Sequence, residues 1–238
     1  TGVIQPIEEI ARITRERKVL LHTDAVDSVG VVPMDVQRLG VDLMSFGSNT
    51  FYGPTGVAGL YIRRGAQVWP LLDGGLQEHN KRAGTENLTG IIGMGVAADL
   101  ARRDLEKRLG HLEALKAKLL ADLPRHVDEY IVNTPPGPSL PNLVSVSIKY
   151  IEGESVMLML DDEGIAVATR SACATGSLRA SHVLIALGLS HADAQGTLVI
   201  TLGIDNTPAD VDRFLEALHK VVGTLRDLSP LYRKTVGA

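Results

Sequence analysis

Cysteine occurs once in this sequence, at position 173, so no intrachain disulfide can form and no metal centre can be built from thiolates of this chain alone. No apolar run approaches the ~20 residues that cross a bilayer as a helix, and no charged-then-apolar leader opens the chain, so the expected location is the cytoplasm. Neither sign of charge dominates: 24 Lys and Arg face 28 Asp and Glu, a formal net charge of −4. With those charges scattered, there is no reason to expect nucleic acid or a membrane surface as partner. The seven histidines fall at no metal-ligand spacing, and Asp161-Asp162 reads as a solvated helix end, so no metal site is expected. Internal repeats and low-complexity tracts are also missing.

What is present is enough for a full core, with 45% hydrophobic residues over 238 positions. From Ile4 to about Gly65 helix and strand patterns alternate: a helix over 5–17, a strand over 18–23, a short helix over 35–39, and strands over 42–46 and 57–62. That alternation predicts an α/β domain with a mostly parallel sheet. A glycine-rich polar connection over 71–90 is too long for a plain turn and reads as functional or interface-forming. One long helix is predicted over 88–121, ending before Pro124.

Beyond a proline-rich connection, "LVSVSIKY" alternates as a half-buried strand, "EGESVMLMLDDEG" reads as a helix ending at Gly164, and "IAVAT" and "GTLVITLG" are strand candidates. A terminal amphipathic helix enters through Thr207-Pro208 with Asp210 in its first turn. These residues predict a second, α+β domain, with the division at 1–110 and 111–238. The abrupt opening, a helix pattern running straight into "VLLHTD", is the pattern of a fragment or of one half of a split protein.

Two stretches carry candidate chemistry. Asp24 ends the apolar strand of "LLHTDAVDSVG", where α/β sheets present side chains to a ligand crevice; an ordinary cap or turn acid fits the same position. "SFGSNTFYGPTG" (45–56) follows a second apolar strand as a tight loop of small and polar residues.

Five segments together, "HTDAVDSVG", "VDLMSFGSNTFYGPTGVAGLYIRRG", "GGLQEHNKRAGTENLTGIIGMG", "LPNLVSVSIKYIEGESVMLMLDDEGIAVATRSACATGSLRASHVLIALGL" and "LRDLSPLY", resemble the NifS/IscS-type cysteine desulfurases. These are class V, fold type I enzymes that use pyridoxal phosphate (PLP). The resemblance runs in the family's order over nearly the whole chain. It implies part of a fold type I large domain followed by a small C-terminal domain, with the family's N-terminal part absent.

The resemblance also assigns roles. Asp24 matches the acid that holds the pyridine nitrogen protonated; Ser48 and Asn49 match a phosphate-contacting loop; Thr85 of "RAGTEN" matches the residue that reaches the phosphate of a neighbouring subunit, with Arg82 in the same segment. Three positions depart from the pattern. Thr50 stands where the Schiff-base lysine belongs, and a hydroxyl cannot form an imine. Val199 replaces the arginine that clamps the substrate carboxylate. Asp27 replaces a glutamine beside the cofactor's phenolic oxygen. Cys173 falls at the persulfide-forming position of a long loop, beside Arg170, where a nearby cation favours the reactive thiolate.

The resemblance therefore implies a cysteine-desulfurase-family subunit in iron–sulfur cluster assembly, handling sulfur or a transient cluster through Cys173. Its tail, Ser229-Pro230-Leu231-Tyr232 included, would dock a scaffold protein. PLP is either held noncovalently or lost. Two alternatives stay open: an active desulfurase completed by a separate N-terminal half or a partner subunit, and a regulatory partner of an active desulfurase. A homodimer or a heterodimer within the family is expected in each case.

Overall fold

The computed structural model describes residues 1–169 and 180–232, which divide into two compact units, Gln5–Leu109 and Thr1–Ile4 with Gly110–Ala238.

The first unit begins with α1 (Ile7–Glu16), which Pro6 precedes and whose first turn carries Glu8 and Glu9 against the helix dipole. Lys18, at φ 56°, turns the chain out of the helix and shortens the predicted strand over 18–23 to β1 (His22–Asp24). The side chain of Asp35 caps α2 (Val36–Leu39) by accepting from the backbone N–H of Gln37 and Arg38, and Gly40 at φ 70° closes it. β2 (Leu43–Gly47) pairs parallel with β1, His22 against Leu43 and Asp24 against Ser45. β3 (Ala58–Ile62) pairs antiparallel with β2, so the described sheet has one ladder of each kind where a mostly parallel sheet was expected.

Ala25, Val41 and Met44 form the centre of a small core under that sheet, and Phe51, Ala97 and Ala101 form a second. A short helix α3 (Gln77–Asn80) contains left-handed Glu78 and His79. α4 (Leu88–Arg103) lays its small residues Gly90, Ala97 and Ala101 inward. Leu88, Ile92 and Val96, spaced by four, face outward uncovered.

The expected helix over 88–121 is two helices. α4 ends at Arg103, where Arg102 and Arg103 complement the dipole, and Asp104 leaves helical geometry at φ −100°, ψ 9°. α5 (Leu105–His126) then restarts and continues through Pro124. A proline in the last turn forfeits one hydrogen bond, while Leu123 and Val127 on either side are buried and hold the turn in place.

In the second unit, β4 (Tyr130–Val132), β5 (Leu143–Ile148) and β6 (Thr197–Thr201) form an antiparallel sheet in the order β4-β5-β6. Val144, Val146, Ile148, Leu198 and Ile200 point to one face and join Leu119, Leu160, Leu215 and Leu218 in the main core. This brings α5, α6 (Gly153–Asp162) and α9 (Pro208–Leu228) onto that face. The opposite face is hydroxylic: Ser147 Oγ lies 2.6 Å from Thr197 Oγ1, and Asn133 Nδ2 donates to Ser147 Oγ at 2.9 Å.

Between α6 and β6 come the short helices α7 (His182–Ala186) and α8 (His191–Gln195), the latter capped by Ser190 accepting from the N–H of Asp193. "IAVAT" makes only a bridge, Ala168 to Val199, and no strand. α9 opens as expected, with Thr207 and Asp210 exchanging hydrogen bonds in a capping box behind Pro208. It stops at Leu228 because Pro230 disfavours helical geometry at Ser229. No helix among the described residues is long and apolar enough to cross a membrane.

Candidate functional site

Parallel pairing of β1 and β2 sets the ends of both strands side by side, and the two sequence-predicted stretches leave from those ends. Asp24 Oδ1 accepts from the N–H of Val26 at 2.9 Å, so the carboxylate is used in part to turn its own chain, and the residue remains exposed. Ala25 N–H donates to Ser45 O at 2.9 Å, which locks this turn onto β2. Beneath it, His22 Nε2 lies 3.1 Å from Ser45 Oγ, a pairing that the sequence did not announce. Asp27 lies exposed in the turn that follows.

The loop after β2 is held by its own backbone. Ser48 N–H donates to Val57 O at 3.1 Å and Gly53 N–H donates to Ser48 O at 2.9 Å, while residues 49–51 make a single 3₁₀ turn. Thr50 donates its hydroxyl to Gly47 O at 2.9 Å. At the position where an imine-forming amine would project, the side chain is thus turned back onto the loop. Phe51, fully buried against Ala97 and Ala101, anchors the turn from below.

Ser48 is 0% exposed and its hydroxyl has no hydrogen-bond partner. A Cβ at Gly53 would collide with that hydroxyl, so glycine is required there for the loop to close. Asn49 is exposed. Tyr52, left-handed at φ 72°, presents its ring to the guanidinium of Arg108 at 5.5 Å. Arg108 is a further buried cation that sequence reasoning passed over as one charge in a helical pattern.

Asp24, Asp27, Ser48, Asn49 and Thr50 are therefore gathered at one end of one sheet. Thr85 sits exposed in the loop before α4, in a connection where Glu78, His79 and Asn80 all have positive φ. In the other unit, Val199 faces Ser145 across the β5–β6 ladder and exchanges backbone bonds with Ala168. Cys173 lies outside the described residues. Among the described residues no three His, Cys, Asp or Glu side chains group as a metal site.

A PLP group anchored as an imine does not fit this loop. Residues 45–56 contain no lysine, and the Thr50 hydroxyl is committed to Gly47. The exposed Asp24 and Asn49 retain groups able to pair with a protonated ring nitrogen and a phosphate.

The model of the family described as aminotransferase class V matches residues 1–214. The chain is 44% identical over 229 residues to the cysteine desulfurase IscS of Dictyoglomus turgidum, covering 96% of this chain and 58% of the relative. It is also 44% identical to the cysteine desulfurase IscS 1 of Archaeoglobus fulgidus, covering 98% and 60%. A solved NifS-like protein superposes with a TM-score of 0.85 at 37% identity, covering 94% of this chain and 58% of the other. A NifS-like protein from Rickettsia africae gives the same TM-score at 27% identity, with 93% and 59% covered. The chain spans about 58–60% of the length of these relatives, and its α/β fold is theirs. The spread of the match over sequence, fold and loop order makes the chain a member of the aminotransferase class V family.

Proposed function

We propose that this chain is a cysteine-desulfurase-family subunit that handles sulfur for iron–sulfur cluster assembly without forming a covalent PLP adduct of its own. The observation that carries the reading is Thr50: a hydroxyl at the anchoring position, hydrogen-bonded into the loop's backbone, in a chain similar to cysteine desulfurases along nearly all of its length. Cys173 then acts as a sulfur carrier. Its thiolate attacks the outer sulfur of a donor persulfide, a new S–S bond forms on Cys173, the donor's S–S bond breaks, and the donor leaves as a thiolate, with no net oxidation. A thiolate at Cys173 could equally ligate a nascent cluster. The tail after α9 is the proposed scaffold contact, and PLP, where present, would be held noncovalently by Asp24, Asn49 and a partner's counterpart of Thr85.

Incubation with a persulfide donor followed by intact-mass measurement tests this. One added sulfur on the wild type and none on Cys173→Ser supports the reading, and equal labelling of both overturns it.

A second reading, a subunit that pairs with another desulfurase chain, is supported by the uncovered apolar surface of the first unit. Leu71 is 94% exposed and Ile92 68%, with Trp69, Leu76, Leu88 and Val96 also open. Apolar surface of this extent marks an interaction site. Crosslinking through residues near α4, with and without an active desulfurase, separates self-pairing from heteromeric pairing.

A further inference from the structure

The second unit carries a groove that none of the cofactor-site residues lines. It lies where the last turn of α5 meets one face of α9, and its volume is about 380 Å³. His219, Gly223 and Asp227 line it from α9, Asp128 lines it from the chain after α5, and Tyr232, the last described residue, forms its edge.

Three observations bear on what fills it. First, its floor is kept open by composition. Glycine is unfavourable inside a helix, yet Gly223 sits well within α9, and a Cβ there would meet nothing within 4 Å. Packing does not require glycine at 223; what glycine preserves is the depth of the groove.

Second, the charge that the groove shows to solvent is negative. Arg226 is spent: its side chain is 5% exposed, its guanidinium pairs with Asp128 and donates to Asp128 O at 2.9 Å, and the Tyr232 ring covers it at 4.9 Å. The Asp128 side chain of that same pair is 70% exposed. Asp227 is exposed as well, while Arg125 is engaged by Asp122. A cationic segment therefore suits the groove better than an anion.

Third, the chain leaves α9 at the groove's edge and is pinned there. Ser229 donates its hydroxyl to Tyr150 O at 2.7 Å, and the rings of Tyr150 and Tyr232 lie 5.8 Å apart. Arg233-Lys234-Thr235-Val236 follow at once, two cations and then two small side chains. From Asp227 to His219, about two turns of α9, the groove extends about 12 Å. Four extended residues span about 13 Å.

We propose that residues 233–236 of this same chain dock in the groove, with Arg233 and Lys234 beside Asp128 and Asp227 and Val236 over Gly223. Because the segment is tethered at the groove's edge, its effective concentration reaches the millimolar range, and contacts too weak to hold a separate peptide suffice. The docking stands apart from any scaffold. On the reading that the tail is the scaffold contact, it makes the groove a competitor that a scaffold must displace.

Tryptic cleavage after Arg233 and Lys234, followed by mass spectrometry of the full-length chain without any scaffold, reads the docking alone. A docked segment is cut only when it opens, so the wild type should be cleaved about tenfold more slowly than Gly223→Leu, whose side chain fills the floor. Circular dichroism should show the helix content of that variant unchanged. Asp227→Asn should speed cleavage about threefold, the worth of one exposed charge pair, and salt should narrow both differences. The proposal fails if wild type and Gly223→Leu are cut at equal rates, or, should that variant lose helix content, if Asp227→Asn and salt leave the wild-type rate unchanged. Protection that weakens on dilution would also overturn it, placing the segment in the groove of a second copy.

Discussion

The two units bury their apolar residues very differently. In the C-terminal unit one continuous cluster gathers residues from α5, β5, α6, β6 and α9, with Leu160, Leu198, Leu215 and Leu218 wholly enclosed. In the N-terminal unit, among the described residues, small clusters form around Ala25, Val41 and Met44 and around Phe51, Ala97 and Ala101, with Ala11 and Val31 also buried. A stripe on α4 and the segment around Trp69 and Leu71 stay uncovered by the described residues. One unit holds its own core. The other keeps a precise loop at the strand ends and leaves apolar surface open among the described residues.

Core truncation should expose this asymmetry most strongly. Leu215→Ala, at a fully enclosed position, is expected to cost about 2–5 kcal/mol and to lower the urea midpoint of the C-terminal unit. Ile92→Ser on the open stripe should change stability by less than about 0.5 kcal/mol while weakening self- or cross-association measured by sedimentation. Equal destabilisation by the two substitutions would mean that the stripe is not free surface.

The next largest effect belongs to the loop. Gly53→Ala drives a methyl into Ser48 Oγ and should cost about 1–3 kcal/mol. Ser48→Ala removes a buried hydroxyl without a partner, and should be neutral or stabilising by up to about 1 kcal/mol and partly rescue Gly53→Ala. A double-mutant cycle by thermal denaturation reads that coupling.

These two units also differ in how legible they were. The cap at Thr207, Pro208 and Asp210 announced α9 because its residue types have few other uses at that spacing. The small and polar run after β2 likewise announced a tight loop, and strand-end logic found Asp24. The break at Asp104 was hidden, since no glycine or proline marks it and leucines continue on both sides. Pro124 was misleading, because buried neighbours outweigh one lost hydrogen bond. Three-residue β4 is too short to show alternation. The fate of the Thr50 and Ser48 hydroxyls depends on where the loop closes, and the His126–His219 contact joins residues 93 apart. No local pattern carries either.

A smaller effect belongs to the N-terminal cap of α9. Thr207→Ala removes the acceptor for the N–H of Asp210 and should cost about 0.5–2 kcal/mol in the C-terminal unit alone.

Smallest is the response to acid, which the units should share. Asp42 in the first unit accepts from the N–H of Leu21 at 2.8 Å and from Arg63 Nε at 2.6 Å. The Leu21 hydrogen bond, with Arg63 beside it, lowers its pKa against an opposing burial effect. Asp210 is lowered by the backbone N–H and then the hydroxyl of Thr207. A depressed carboxylate stabilises the fold fully above its ordinary value of about 3.9 and loses that contribution as pH falls through the lower folded-state value. Stability should therefore stay level from pH 7 to about 5 on account of these groups, and decline below about 4. Asp42→Asn should flatten the acid limb of the first unit.

Borohydride reduction of the protein supplied with PLP, followed by peptide mass mapping, tests the central claim most directly. With Thr50 hydrogen-bonded to Gly47 O and no amine in the loop, the account predicts no phosphopyridoxyl label on residues 45–56 of the wild type, and label appearing there in Thr50→Lys. A phosphopyridoxyl peptide from that stretch of the wild-type chain would contradict it.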